Sequence, residues 1–254
     1  DVVLCSGDMV AAQSKALSDS QIQAMWTGFE HTIGAPLRKA QLPLGFTVGN
    51  HDASGALGPR GERLFERDRS FAKTYWNQAS HTPNLQFADR AEFPFYYSFS
   101  QNEIFYLVWD ASSAILSPQQ LAWAEKSLAS AAAQAAKLRI AIGHLPLYAV
   151  AVGRDKPGEF LNHAEELRSL LEKYRVHTYI SGHDHAYFPG HRGKLQLLQT
   201  GALGAGPRQW LNSKLAPTKT LTVVDITLNE AKTRYTTYDM FTQQVLDYHT
   251  LPRL

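Results

Sequence analysis

Apolar residues recur along the chain in short unbroken runs, each closed by glycine: "VVLCSG", "FTVG", "RIAIG" and "TYISG". Runs of this length, bounded by a turn residue, read as strands buried on both faces. Stretches with helical spacing lie between them. Residues 18–31 predict a helix capped by Ser18 or Asp19. Residues 117–137 predict one strong helix, with Ser117 as N-cap, Pro118 at the first helical position, Gln120 completing a capping box, and the alanine-rich "ASAAAQAAK" as its exposed end. "FLNHAEELRSLLEKY" predicts a third. "FYYSFSQNEIFYLVWD" divides at "SQNE" into a hairpin. Residues 53–93 are mixed and read as an irregular insertion with a helical piece near 62–78. The tail adds the strand-like runs "KLQLLQTG", "TLTVVDITLN" and "AKTRYTTYDM".

Strands alternating with helices, with β-rich flanks, point to an α/β protein. The expected architecture is two packed mixed β-sheets flanked by helices, layered α/β/β/α. The 254 residues carry no repeat and no low-complexity linker, so residues 1–254 are read as one domain. Hydrophobic residues make up 44% and charged residues 19%, enough apolar material for a substantial core. A net charge of +2 gives no basic stripe for nucleic acid and no attraction to an anionic membrane surface. No apolar run approaches the ~18 residues of a membrane span. Cys5, the single cysteine, is a strand thiol with no internal partner. Asp1 opens directly into a strand-like run, so the chain is expected to be trimmed at its start.

The polar residues that follow the glycines change the picture. "VVLCSGD" delivers Asp8, "GFTVGNHD" delivers Asn50, His51 and Asp52, "RIAIGH" delivers His144, and "HTYISGHDH" delivers His183 and His185. In open α/β sheets, ligands gather at the carboxyl ends of strands, where loops converge. Imidazole, carboxylate and amide oxygen together suit Mn, Fe or Zn; calcium would need more oxygens and structural zinc would need cysteines. An aspartate can bridge two ions, and a pair about 3.5–4 Å apart clamps both oxygens of a phosphoryl transfer. A lone Gly-Asp or Gly-His is commonplace in turns; the ordered set after buried strands carries the argument.

His31, His81, His163, His177, His191 and His249 read as structural or surface histidines. Arg154 and Lys156 in "GRDKPGE", and Arg208, are within sequence reach of a substrate phosphate or are solvated loop charges. "TGALGAGP" lacks the Lys-Ser/Thr of a nucleotide-binding loop and reads as a loop passing near the site. Trp109, Tyr148 and Tyr187 read as packing, with Tyr187 best placed to line a pocket mouth.

With these residues assembled, the chain resembles the calcineurin-like metallophosphoesterases. The resemblance rests on Gly7-Asp8, Gly49-Asn50-His51-Asp52, Gly143-His144 and Gly182-His183-Asp184-His185. "YYSFSQNEIFYLVWDAS", "LSPQQLAWAEKSL" and "GHLPLY" are similar to the purple-acid-phosphatase-like branch. Two departures stand out. The family's first element, Asp-x-His on an upstream strand, is missing from this chain. The tyrosine expected three residues after the Gly-Asp aspartate is Ala11, so a tyrosinate ligand is not expected.

The resemblance implies that Asp8 bridges two ions, that Asn50, His144 and His183 complete one site, and that His185 belongs to the other, whose remaining ligands lie in the missing segment. It implies that His51 faces the phosphate and protonates the leaving group, with Asp52 orienting His51. The implied reaction is hydrolysis of a phosphate mono- or diester, in a small molecule or a phosphoprotein, by a metal-bound hydroxide. It also implies a periplasmic or secreted setting. The alternative is a non-catalytic or single-metal module that retains the fold.

Overall fold

The computed structural model describes residues 1–204 and 206–252. Eleven strands are present among them: β1 (Val3–Cys5), β2 (Leu44–Phe46), β3 (Gln86–Glu92), β4 (Tyr96–Gln101), β5 (Ile104–Val108), β6 (Leu138–Ile142), β7 (Thr178–Ser181), β8 (Phe188–Arg192), β9 (Leu195–Gln199), β10 (Thr220–Thr227) and β11 (Lys232–Asp239). The α-helices are α1 (Asp19–Phe29), α2 (Ala35–Lys39), α3 (Asn50–Ala53), α4 (Glu66–Trp76), α5 (Pro118–Leu128), α6 (Ala131–Ala135) and α7 (Ala164–Lys173).

Seven strands form one mixed sheet in the order β3-β4-β5-β6-β7-β9-β8, with β5, β6, β7 and β9 running parallel. Alternate residues divide between its two faces. Phe105, Leu107, Ala141 and Tyr179 pack with Ala124, Leu128, Leu167 and Leu171 of α5 and α7. Tyr106, Val108, Ile140, Ile142 and Ile180 pack on the opposite side with Phe46 of β2 and Trp26 and Trp76 of α1 and α4. This double burial explains why the central strands are unbroken apolar runs.

The layers follow the expected order, but the second sheet is two separate ribbons. β1 and β2 pair in parallel, and β10 and β11 form an antiparallel hairpin. β2 is fixed between its neighbours. The Phe46 ring stacks on Trp76 at 3.8 Å, and a Cβ on Gly45 would lie 2.7 Å from Phe99. In the β1–β2 register, the Phe46 backbone groups point away from β1. The buried Tyr97 hydroxyl satisfies both, accepting from Phe46 N at 3.0 Å and donating to Phe46 O at 2.6 Å.

Several local expectations meet the structure closely. Ser18 caps α1 and forms a full capping box with Gln21. The β4–β5 hairpin turns at Asn102 and Glu103, both at positive φ (51° and 62°), the conformation favoured in two-residue hairpin loops. Others are corrected. The predicted 117–137 helix breaks after Leu128, because Ser130 caps a new helix, α6, by accepting from Ala133 N at 3.2 Å. Gln120 leaves Ser117 uncompleted and binds the Asp110 backbone instead, through both ends of its amide. β3 lies inside the stretch expected to be irregular. No helix among the described residues is long and apolar enough to cross a membrane.

The Tyr97 hydroxyl therefore ties the ribbon that carries the first two polar loops to the main sheet. Tyr97→Phe leaves a buried N–H and C=O of Phe46 without partners and is expected to destabilise the fold by about 1–3 kcal/mol. Urea unfolding of both proteins checks this; equal midpoints would mean that the hydroxyl is replaceable there.

Candidate metal centre

Four loops leave the carboxyl ends of β1, β2, β6 and β7 and meet. Their closeness depends on glycine. A Cβ at Gly7 (φ +96) would lie 2.6 Å from the His144 ring, and one at Gly49 would lie 2.2 Å from Asp8 Oδ1. Asp8, His183 and His185 themselves adopt left-handed backbone (φ 57°, 64° and 52°), an uncommon state for non-glycine residues that clusters at functional sites.

Asp8 Oδ2 lies 3.2 Å from His144 Nε2. His144 Nε2 lies 2.9 Å from Asn50 Oδ1 and 3.3 Å from His183 Nδ1, and Asn50 Oδ1 lies 3.0 Å from His183 Nδ1. Hydrogen bonds behind these atoms fix what they present. His144 Nδ1 donates to Ser6 O at 2.7 Å, which leaves a lone pair on Nε2 of the neutral ring. His183 Nε2 donates to Glu159 Oε2 at 2.8 Å, which leaves a lone pair on Nδ1. Asn50 Nδ2 donates to Gln13 Oε1 at 2.7 Å, which turns the amide oxygen inward. Four acceptors thus face one another.

The charges agree for His183, whereas Asp8 draws His144 toward its protonated form, in which Nε2 donates to Asp8 and Asn50. Burial opposes a charge on Asp8, yet His144 and the His51 N–H hold its carboxyl well below the usual range. Burial opposes a charge on His144 too, but Asp8 raises its affinity for a proton. Burial, then the positive charge of His144 and Arg154, pushes His183 down to about 3, so its ring is neutral. Burial also works against Glu159, but hydrogen bonds from His183 and Arg154 keep it ionised.

Not every expected residue joins this set. His185 donates from Nδ1 to Gly206 O at 2.9 Å, leaving Nε2 free, and makes no hydrogen bond with the other four. This places the 200–207 loop beside the site; Ala205 within it lies outside the described residues. His51 reaches Asp8 through its backbone N–H (2.9 Å), and its ring Nδ1 meets Ala12 O at 3.3 Å. Asp52 does not orient His51, contrary to expectation. It sits in the first turn of α3, where Oδ1 accepts from Gly49 N (2.8 Å) and Asp8 N (3.0 Å), while Oδ2 is buried without a partner. Burial and the neighbouring Asp8 charge push Asp52 up to about 8. Tyr187 is buried in the core rather than at a pocket mouth. Arg154 pairs with Glu159. Gln13 and Glu159 escaped the sequence reading; Glu159 lies in the same polar loop as Arg154, and a carboxylate there was the available signal.

Among the described residues, no group of three or more His, Cys, Asp and Glu side chains is spaced to grip an ion as it stands. The set found here includes an amide oxygen. Four of its pairwise separations, 2.9–3.3 Å, match the edges of a coordination shell with bonds of roughly 2.0–2.2 Å, so the residues fit a transition metal.

The family model for calcineurin-like phosphoesterases matches residues 1–187. The chain belongs to this family. The match ends two residues past His185, so every loop of the site lies within it. A purple acid phosphatase from yellow lupin (Lupinus luteus) seeds has a similar structure, with a TM-score of 0.67 and 20% identity; the match covers 97% of this chain and 45% of that one. GAP50 of Plasmodium, described as the anchor in the inner membrane complex, gives a TM-score of 0.54 and 14% identity, covering 81% of this chain and 64% of that one. At these identities the likeness concerns the fold, and the chain spans less than two thirds of either neighbour. No curated protein matches the chain at a significant level.

Asp52 gives the ion-free protein a distinct pH dependence. With its pKa raised to about 8, the folded state keeps a proton that the unfolded chain releases near pH 4. The stability this provides is full below about pH 4 and is lost as pH rises to about 8. Asp52→Asn removes the titration but keeps an oxygen for Gly49 N and Asp8 N. With metal removed, wild type is expected to lose more stability than Asp52→Asn between about pH 4.5 and 8. Parallel pH profiles in urea unfolding would show that Asp52 does not titrate in this window.

Proposed function

We propose that this chain is the metal-holding part of a phosphoesterase that hydrolyses phosphate mono- or diesters. The observation that supports this best is the convergence of Asp8 Oδ2, Asn50 Oδ1, His144 Nε2 and His183 Nδ1 on one small volume, where a proton on His144 is the one donor available to them. Acceptors at such distances repel unless a cation lies among them. Asp8, Asn50, His144 and His183 would hold one ion, of Mn, Fe or Zn. The second oxygen of Asp8 and the free Nε2 of His185 are this chain's candidates for a second. When bound, such ions would polarise the phosphoryl group and activate the hydrolytic water.

His51 acts on the leaving group in this reading. Its backbone N–H holds Asp8 Oδ1, so the ring stands beside the donor set without entering it. Ala12 O accepts from Nδ1, so Nε2 carries a proton only when the ring is charged. The acid form is therefore the imidazolium, which both attracts the phosphate and protonates the departing oxygen.

The fold alone does not decide for catalysis, because the Plasmodium neighbour with the same fold is described as an anchor. A non-catalytic single-metal module is thus the second reading, and turnover separates the two. Metal retained after dialysis is the first measurement. Wild type is expected to keep bound metal, and His144→Ala and His183→Ala to lose most of it. Equal metal in all three proteins would remove the assignment. Metal retained without hydrolysis of a mono- or diester would favour the module.

The role of His51 has its own test. His51→Asn is expected to keep the metal and lose about 10²–10⁴-fold in turnover on alkyl esters, which need a proton donor, but far less on nitrophenyl esters, which do not. The penalty should therefore grow with the pKa of the leaving alcohol. A flat penalty across a leaving-group series would leave His51 an electrostatic role only.

A further inference from the structure

Asn50 presents its amide oxygen to His144 and His183, and inside the site only a proton on His144 Nε2 favours that choice. An asparagine amide has nearly the same shape either way round; oxygen and NH₂ differ in what they donate and accept. Without an ion, the lone pairs on His144 Nε2 and His183 Nδ1 would rather meet an NH₂, which can donate to them. With both rings neutral, as metal binding requires, the oxygen-inward state must be set from outside.

We propose that Gln13 is the positioning residue that sets it, so that Gln13 governs how tightly the site holds metal. This rests on the metal-holding role proposed above. Gln13 Oε1 accepts from Asn50 Nδ2 at 2.7 Å, on the side of the amide away from the histidines. Gln13 is itself held in place. Its backbone is left-handed (φ 67°), and its N–H donates at 2.9 Å to Oδ2 of Asp68, a buried residue in the first turn of α4. Arg67 binds the same segment further along, donating to Ser14 O at 3.0 Å and Leu17 O at 2.8 Å. The chain of contacts therefore runs from α4, through a strained loop, to one face of an amide whose other face meets the two histidines. Ala or Leu at position 13 breaks the last contact while leaving the backbone hydrogen bond to Asp68 possible.

Mn²⁺ binding by isothermal titration tests the proposal, with no need for turnover. Gln13→Leu is expected to bind Mn²⁺ about 10–100-fold more weakly, the usual effect of losing an outer partner of a ligand. Gln13→Glu, which can only accept, is expected to restore near-wild-type affinity. The deciding background is Asn50→Asp, whose two equivalent oxygens cannot be turned the wrong way round. There, Gln13→Leu is expected to cost nothing. If Gln13 merely shapes the loop, the penalty persists in the Asn50→Asp background and Gln13→Glu does not rescue; either result overturns the proposal. Equal Mn²⁺ affinity in wild type and Gln13→Leu overturns it as well. A wild type that binds no Mn²⁺ defeats the metal-holding role itself, and the role of Gln13 with it.

Discussion

Much of this structure depends on an electrostatic conflict among Asp8, Asn50, His144 and His183. Each can point an unshared electron pair at the same small volume, and each is held from behind by a hydrogen bond, that of Asp8 coming from His51 N. Left to themselves, these groups would separate or hydrate. The site instead raises the proton affinity of His144 at its centre, despite the burial that works against a charged ring. A pocket that does this attracts positive charge in general, and a divalent ion satisfies four lone pairs where a proton satisfies one or two.

Holding the donors in place falls to the sheets. The parallel pair β6–β7 delivers His144 and His183 from adjacent strand ends, and the parallel pair β1–β2 delivers Asp8 and Asn50 from the facing layer. Each pair shares one edge-to-edge register, so relative motion of two ligands would break backbone hydrogen bonds. Between the layers, the Ser6 carbonyl to His144 and the Tyr97 hydroxyl to Phe46 resist sliding. Rigid elements place the donors, and short glycine-bearing loops bring them to within hydrogen-bond distance.

Strand runs, the glycine punctuation and the four polar loops were legible in the sequence because each depends on local pattern: period, turn residue and side-chain type. The helix break at Ser130 was not, because an alanine-rich stretch propagates a helix well, and contacts across the fold, from Arg139 to Ala133 O and Ala136 O, help the Ser130 cap to hold the short second segment. β3 was hidden because its residues alternate weakly between exposed and half-buried positions at a sheet edge. Gln13 and Glu159 were missed for a different reason. Their roles come from what they face across the fold: the carboxylate of Glu159 in a polar loop is a faint signal, Gln13 gives none, and spacing announces neither hydrogen bond to a ligand 24 or 37 residues away.

The two aspartates inside the motifs, Asp52 and Asp184, show what the extra carboxylates are for. Asp52 binds the backbone N–H groups of Gly49 and Asp8, tying the second loop to the first. Asp184 accepts from Val150 N at 2.7 Å, tying the fourth loop to the segment that follows His144. In each, one oxygen takes the backbone and the other is buried without a partner, and burial raises the pKa, to about 8 for Asp52 and about 7 for Asp184. A carboxylate aimed at backbone amides and sealed from solvent is badly placed to exchange protons with a substrate. Its chemistry suits stapling, since a short acceptor with two lone pairs per oxygen can join two chain segments at a single atom. An aspartate one or two residues after a ligand, as in Asn50-His51-Asp52 and His183-Asp184, therefore encodes a donor and its brace together. The two braces join the loops in pairs, the second to the first and the fourth to the third, and the His144 bond to Ser6 O links one pair to the other.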